Sequence, residues 1–224
     1  MIDIIYGTWQ EHLTGPIQAL ITDPPYNTTG CAWDGAFNPE EFWHHIGPKL
    51  APQHTVIFTA QMRLAVDLIR YAKTKFRHDL VWEKPNGTGQ VKNSPNRCHE
   101  LVLVFGNGPY YPQMQQGKPY TWRSKRSKGE ATGYADNSGE IQNTGTRHPR
   151  SVLHIAQQRG LHPTQKPVEL MKFLIESYTE PNWHIWEPFG GSGTTGVAAK
   201  ELGRTATLIE QNADYIEIIK ERLV

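Results

Sequence analysis

The sequence predicts an α/β fold, a mostly parallel sheet with helices on both faces. Three observations predict it. Short apolar runs alternate with stretches of helical periodicity at both ends of the chain. The runs read as strands buried on two faces, as a parallel sheet requires. A glycine-rich segment, residues 190–196, lies between one such run and a helix.

In chain order, residues 2–6 and 17–21 are short buried strands. Asn38 is a good N-cap with Pro39 at the first helical position, opening a helix through residue 46. Residues 55–59 form a strand. A helix over 61–75 follows, with Leu64, Ala65, Leu68, Ile69 and Ala72 on one face. Strands at 80–83 and 101–105 close the first half. Between about 106 and 160 the periodicity disappears into a stretch dense in Gly, Pro, Ser, Thr, Asn and Gln. A loop-rich segment of that length is either disordered or functional. The alternation then resumes: helix 168–178, strand 183–186, helix 194–202, strand 205–209 and helix 213–223. The organisation expected is one domain in two halves, 1–106 and 161–224, around an insertion at 107–160. There is no internal repeat.

Length and composition set the bounds. A chain of 224 residues has ample material for one core. The formal charge is +1, so any contact with nucleic acid must come from a local patch. Two cysteines, Cys31 and Cys98, are too few for a disulfide framework and form no CxxC pair. Burial is the role expected of both. His44, His45 and His99 share no ligand spacing with Asp or Cys, so no metal is expected. No apolar run reaches membrane-span length and Met1-Ile2-Asp3 does not begin a signal peptide, so a reducing, cytoplasmic setting is the simplest reading.

Asp23-Pro24-Pro25-Tyr26 follows the second strand directly. Each proline fixes φ and removes an N–H, and Pro24 holds Asp23 extended. The turn presents a carboxylate, a carbonyl and an aromatic ring together. Such a site suits an exocyclic amine on a nucleobase extruded from its helix. The plain alternative is a proline-rich surface turn ending a strand.

A second motif runs from Glu187 through Pro188, Phe189 and Gly190 to Gly196. Gly191, Gly193 and Gly196 have GxGxxG spacing at a strand-to-helix junction, where glycines permit a tight turn and close approach of a ligand. Glu210, at the end of the next strand, is placed to hold ribose hydroxyls. No lysine follows the glycines as a P-loop requires. A nicotinamide site fits the loop but gives the Asp-Pro-Pro-Tyr turn no role, whereas an S-adenosylmethionine (SAM) site uses both. The third motif, His162-Pro-Thr-Gln-Lys-Pro167, puts Pro167 near the first position of a helix. The exposed N–H groups there favour a carboxylate such as the one SAM carries. Its plain alternative is a polar, capped loop.

These three motifs, in this order, resemble the β group of amino-DNA methyltransferases, a circularly permuted family in which the catalytic turn precedes the SAM loop. The resemblance is strongest over 162–223, where Glu210, Tyr215 and Glu221-Arg222-Leu223 also match. It extends to 1–27, and more loosely to 80–105 through Trp82-Glu83-Lys84 and His99-Glu100-Leu101. It implies a SAM-methyltransferase (Rossmann-like) fold with a seven-stranded sheet, acting on the N6 amine of an adenine flipped out of double-stranded DNA. Carried over by position, Asp23 and the Pro24 carbonyl accept from the amine, with Pro25 completing the turn, and Tyr26 stacks on the base. Phe189, Gly191, Gly193 and Thr194 line the cofactor, Glu210 holds its ribose, and Lys166 with Thr164 its carboxylate. Gly7 matches a segment usually written Gly-Asp, but Thr8 stands where the family has Asp. Glu187 stands where the first acid of the glycine motif is usually Asp.

The chemistry implied is direct in-line transfer. The conjugated amine is a poor nucleophile, and acceptors at Asp23 and Pro24 draw its lone pair out of the ring. Neither cysteine lies in a nucleophile motif. In the middle segment Lys118, Arg123, Lys125, Arg126 and Lys128 occur with no acid among them, near Tyr120 and Trp122, and Arg147 and Arg150 follow. Cations interleaved with aromatics suit phosphate contact and base stacking, and Arg, Asn and Gln can read base edges. The plain alternative is a solvated loop. A short recognition site is expected from so short an insertion. Three other functions remain open: the same reaction at cytosine N4, a non-catalytic DNA-binding relative, and, more distantly, a nicotinamide dehydrogenase. Homodimers are common in the family, and a restriction endonuclease partner is compatible with the reading.

Overall fold

A computed structural model describes residues 1–26, 37–88, 92–123, 140–158, 160 and 165–223. They belong to two compact units, Met1–Tyr111 with Ser151–Val224, and Pro112–Arg150. The elements of the first unit are β1 (Ile2–Tyr6), α1 (Trp9–His12), β2 (Ile17–Thr22), α2 (Pro39–Ile46), β3 (Leu50–Ala60), α3 (Met62–Arg70), β4 (Phe76–Thr88) and β5 (Arg97–Gly106). The second unit contributes β6 (Gln115–Gln116), β7 (Tyr120–Arg123), β8 (Glu140–Asn143) and β9 (Thr146–Arg147). The first unit resumes with β10 (Val152–His154), α4 (Val168–Tyr178), β11 (His184–Glu187), α5 (Thr194–Glu201), β12 (Thr205–Glu210) and α6 (Ala213–Leu223).

The sheet runs β1-β12-β11-β2-β3-β5-β4-β10. Every neighbouring pair is parallel except those made by β5, which runs antiparallel to β3 and β4. Alternation along the strands divides the core in two. Leu20, Val56, Phe58, Leu101, Leu103, Phe105 and Ile209 face the cluster built on Trp9 of α1, Phe42 and Trp43 of α2 and Leu68 of α3. Ile21, Ile57, Val102, Val104 and Leu208 face the opposite cluster, with Leu170 and Leu174 of α4, Ala198 of α5 and Ile219 of α6. A strand buried on both faces gains from apolar residues at every position.

Three expectations need correction. The sheet has eight strands among the described residues, because β10 adds a parallel edge strand beside β4, with Val152 opposite Val81. Three residues in a polar stretch carry too little pattern to be read as a strand. They lie in the first compact unit, just after the second ends at Arg150. Helix α3 stops at Arg70, short of Lys75, because Phe76 enters β4, pairs with Phe105 and sets its ring 5.4 Å from that ring. Cys98 is exposed, since the first three residues of β5 lie outside the buried part of that strand. Cys31 lies outside the described residues. No helix among the described residues is long and apolar enough to cross a membrane.

Candidate active site

The motifs converge because their strands are neighbours. β2, β11, β12 and β1 are consecutive in the sheet and parallel, so the segments leaving their C-terminal ends lie at one edge. Ligands of open α/β sheets bind there. Asp23-Pro24-Pro25-Tyr26 leaves β2, the glycine loop leaves β11, Glu210 ends β12 and Gly7 follows β1. Gly7 donates its N–H to the Glu210 carbonyl at 3.0 Å.

Around the glycine loop, Gly191 and Gly193 have φ of 51° and 77°, the left-handed region. The two differ in what surrounds them. A Cβ at Gly193 would lie 3.1 Å from Ile219 Cγ1, so that glycine lets α6 pack against the loop. Among the described residues, a Cβ at Gly191 would meet nothing nearer than the Phe189 carbonyl oxygen at 3.9 Å. It faces open space, as close approach of a ligand needs. At Gly196 a Cβ would come within 2.9 Å of Leu208, so the third glycine serves contact between α5 and β12. Glu210 accepts from Gly191 N–H at 2.7 Å and from Asn212 N–H at 2.8 Å, one bond on each oxygen. A carboxylate offers about four acceptor positions, so room for hydroxyl donors remains. Burial raises its pKa, against the opposing backbone bonds. Phe189 packs edge-on to Phe37 at 5.4 Å. Thr194 is buried at the start of α5. Thr8 precedes α1 and its hydroxyl bonds Glu11 Oε2 at 3.0 Å.

Glu187 ties the two motifs together. It accepts from the Thr22 hydroxyl at 2.5 Å, the Thr195 hydroxyl at 2.8 Å and the Phe189 N–H at 3.1 Å. Thr22 immediately precedes Asp23, so one carboxyl group links the strand of the catalytic turn to the cofactor loop and α5. Burial pushes its pKa up to about 8, although the two threonines and the Phe189 N–H pull the other way.

The catalytic turn is held by a network that sequence reasoning missed in part. Asp23 Oδ1 accepts from the Tyr26 hydroxyl at 2.6 Å and from the Thr59 hydroxyl, and Oδ2 pairs with the Lys166 ammonium. Lys166 is also 3.2 Å from Glu100 Oε2, and Lys84 pairs with Glu100 Oε1. The Lys166 ammonium lies 5.3 Å from the centre of the Tyr26 ring and so covers one of its faces. A phenol has one proton, and the shortest contact assigns it to Asp23. Burial, with the charges of Asp23 and Glu100, pushes the Tyr26 phenol well above its ordinary range and keeps that proton in place. Burial would lower the Lys166 pKa, but Asp23 and then Glu100 outweigh it and raise it. Burial likewise opposes ionisation of Glu100, but Lys166 and Lys84 prevail and lower its pKa.

This arrangement changes one expectation. Lys166, read as the holder of the cofactor's carboxylate, is committed to two carboxylates of the protein itself. Pro167 stands at the N-cap of α4, next to its first position. Thr164 lies outside the described residues. Lys84 and Glu100 lie in the two segments of the looser family resemblance, and Thr59 is a polar residue closing an apolar run.

In the second unit, β7 pairs antiparallel with β8, and Tyr120 and Trp122, two apart on β7, share a face with Ile141 opposite Trp122. All three are exposed, at 47%, 54% and 42%. The Arg147 guanidinium sits 5.5 Å from the Tyr120 ring centre and donates to the Lys118 carbonyl at 3.0 Å. Lys118, Arg147 and Arg150 are exposed. Arg123 lies on β7, while Lys125, Arg126 and Lys128 lie outside the described residues.

Residues 17–221 match the DNA methylase family model of the N6 and N4 methyltransferases. The chain belongs to the N6/N4 DNA methylase family. Among curated relatives, the Type II methyltransferase M1.MboII of Moraxella bovis is 26% identical over 89% of this chain and 86% of its own length. M.XycI of Xanthomonas campestris pv. cyanopsidis is 33% identical over 66% of this chain but only 44% of its own length. The chain thus spans less than half of that relative. Among solved structures, the M1.HpyAVI–SAM complex has a TM-score of 0.67 at 22% identity, with 100% of each chain covered. The cytosine-N4-specific PvuII DNA methyltransferase reaches 0.70 at 16% identity, over 100% of this chain and 86% of its own. At these identities the likeness is one of fold, and an N6/N4 DNA methylase fold is what the sheet order and the edge occupied by the motifs display.

Proposed function

We propose that this chain transfers a methyl group from SAM to an exocyclic amine in double-stranded DNA, with adenine N6 as the target. One observation carries the reading. Among the described residues, Tyr26, Thr59 and Lys166 fill three of the about four acceptor positions of Asp23, which leaves one, on Oδ2. An –NH₂ group needs two acceptors. The remaining position on Asp23 and the carbonyl of Pro24 supply them, on a turn fixed by two prolines and locked by the network. Tyr26 offers the ring face opposite Lys166 to a flipped base.

Fit to the cofactor rests on the open space above Gly191 and the spare acceptor positions of Glu210. SAM bound there supplies an electrophilic methyl on a sulfonium. The amine's lone pair, drawn out by Asp23 and the Pro24 carbonyl, would take that methyl, and the thioether would leave with the C–S electrons. The cationic nitrogen then loses a proton to water by way of Asp23. The turn and its network hold the amine in line, which is the main contribution a protein makes to such a transfer. Lys118, Arg123, Arg147 and Arg150 contact phosphate, and Tyr120 and Trp122 stack.

Asp as the first residue of the turn favours adenine. The second reading is cytosine N4, the specificity of the PvuII enzyme of the same fold. Unmodified DNA treated with labelled SAM, digested to nucleosides and read by mass spectrometry tests both. N6-methyladenine is expected. N4-methylcytosine would move the target base, and no transfer would remove the reading.

A further inference from the structure

We propose that Lys166 is a positioning residue for Asp23, and that Glu100, clamped from its other side by Lys84, holds Lys166 in that role. The proposal rests on the reading of Asp23 as an amine acceptor.

The four groups form a chain of alternating charge, Lys84–Glu100–Lys166–Asp23, each on a different segment: β4, β5, the residues before α4, and the turn after β2. Their side chains are 10%, 9%, 5% and 22% exposed. Charges removed from water to this degree persist only when paired, and loss of one partner leaves its neighbour stranded. Lys166 is the most buried of the four and the only one that touches Asp23. It arrives from 143 residues away in sequence. A surface ion pair has no such need of a second anion, whereas Lys166 has one in Glu100, and Glu100 has a second cation in Lys84. The chain therefore fixes where the ammonium stands, and the ammonium takes one of the two acceptor positions on Oδ2, the oxygen that Tyr26 and Thr59 leave open. Were Lys166 a holder of the cofactor's carboxylate, a third anion would join two already at its head group, with no further cation there among the described residues.

Three variants and two readouts test this. Lys166→Met, Lys166→Arg and Glu100→Gln are compared with the wild type for SAM affinity by calorimetry and for single-turnover methyl transfer at saturating SAM. Expected for Lys166→Met is a rate at least about 100-fold lower with SAM affinity within about threefold, the mark of an interaction acting on the transition state alone. Lys166→Arg, which keeps the cation, recovers at least about tenfold of that loss. Glu100→Gln lowers the rate about tenfold and leaves affinity unchanged. The opposite split overturns the proposal: affinity for SAM lost more than tenfold with the saturated rate retained makes Lys166 a cofactor ligand. If Lys166→Met does not fold, Glu100→Gln decides, and an unchanged rate there also overturns it. Failure of the parent reading is separate. Wild-type protein that binds SAM but methylates no DNA removes the reaction. The ¹³C carboxyl signal of Asp23, assigned by its loss in Asp23→Asn, then reports the pairing alone. It moves in Lys166→Met and returns towards its place in Lys166→Arg, and a signal unmoved in Lys166→Met overturns the proposal.

Discussion

Glu187 is 3% exposed and its carboxyl is pushed from an ordinary value of 4.5 up to about 8. Replacing it by glutamine makes a sharp test. In the folded protein at neutral pH the group keeps its proton. In the unfolded chain it is ionised above about pH 4.5. The folded state therefore binds the extra proton, and the stability tied to this group is present at low pH and lost as pH rises towards 8. The full interval is worth about 5 kcal/mol as an upper bound, and the part between about pH 6 and pH 8 about 2 kcal/mol. Glutamine has the same shape, offers one acceptor and one donor group, and does not titrate.

Urea unfolding of wild type and Glu187→Gln at about pH 6 and pH 8 gives the four free energies required. Other titrating groups are common to both proteins and cancel in the difference. The variant should gain on the wild type by about 2 kcal/mol between these pH values, or roughly 4–8 °C in melting temperature for a chain of this size. A constant separation at the two pH values would mean that the threonines and the Phe189 N–H hold Glu187 ionised, and the argument from burial fails.

Three other outcomes follow from the same geometry. Asp23→Ala abolishes methyl transfer and leaves SAM affinity within a few fold, because its partners among the described residues belong to the turn and its network; full activity would sink the mechanism. Gly193→Ala costs about 1–2 kcal/mol of stability through the left-handed backbone alone, more if Ile219 cannot yield, whereas Gly191→Val is expected to weaken SAM binding beyond its effect on melting, since its side chain enters open space; equal effects on both readouts at both positions would remove the distinction. Tyr120→Ala combined with Trp122→Ala lowers DNA affinity at least about tenfold at unchanged melting temperature, as stacked bases are worth about 1–3 kcal/mol each, and unchanged affinity would take DNA contact away from this face.

The parts of the fold carried by dense local patterns were legible in the sequence. α6 begins and ends where its periodicity does, and α4 likewise. The cofactor edge was legible because a glycine loop, its flanking strand and the acid after the next strand constrain one another at fixed spacings. What escaped depended on contacts distant in sequence. α3 ends early because Phe76 pairs with Phe105, a fact of the sheet and not of the helix. β10 exists because β4 offers it an edge. Lys84 and Glu100 are 16 residues apart and meet through strand pairing, and nothing local to either indicates that Lys166 completes the set.

The same distinction explains why motif reading gives Lys166 to the cofactor's carboxylate, whereas in the structure it pairs with Asp23 and Glu100. A lysine close to a helix N-terminus and near a cofactor loop fits a carboxylate ligand, and the local argument has no means of saying whose carboxylate. The sheet decides it. β2 and β11 are adjacent, so the turn after β2 and the segment before α4, which packs against this part of the sheet, are brought together whatever their separation along the chain. Once Asp23 is half buried beside Glu100, two negative charges lie in a corner with little water, and a cation is required before any ligand enters. The protein supplies it from its cofactor-binding half. Glu187 makes the complementary link, with Thr22 on one side and Thr195 on the other. Two polar bridges, one ionised and one protonated at neutral pH, therefore fasten the turn after β2 before any ligand arrives, the first to the segment before α4 and the second to the glycine loop and α5.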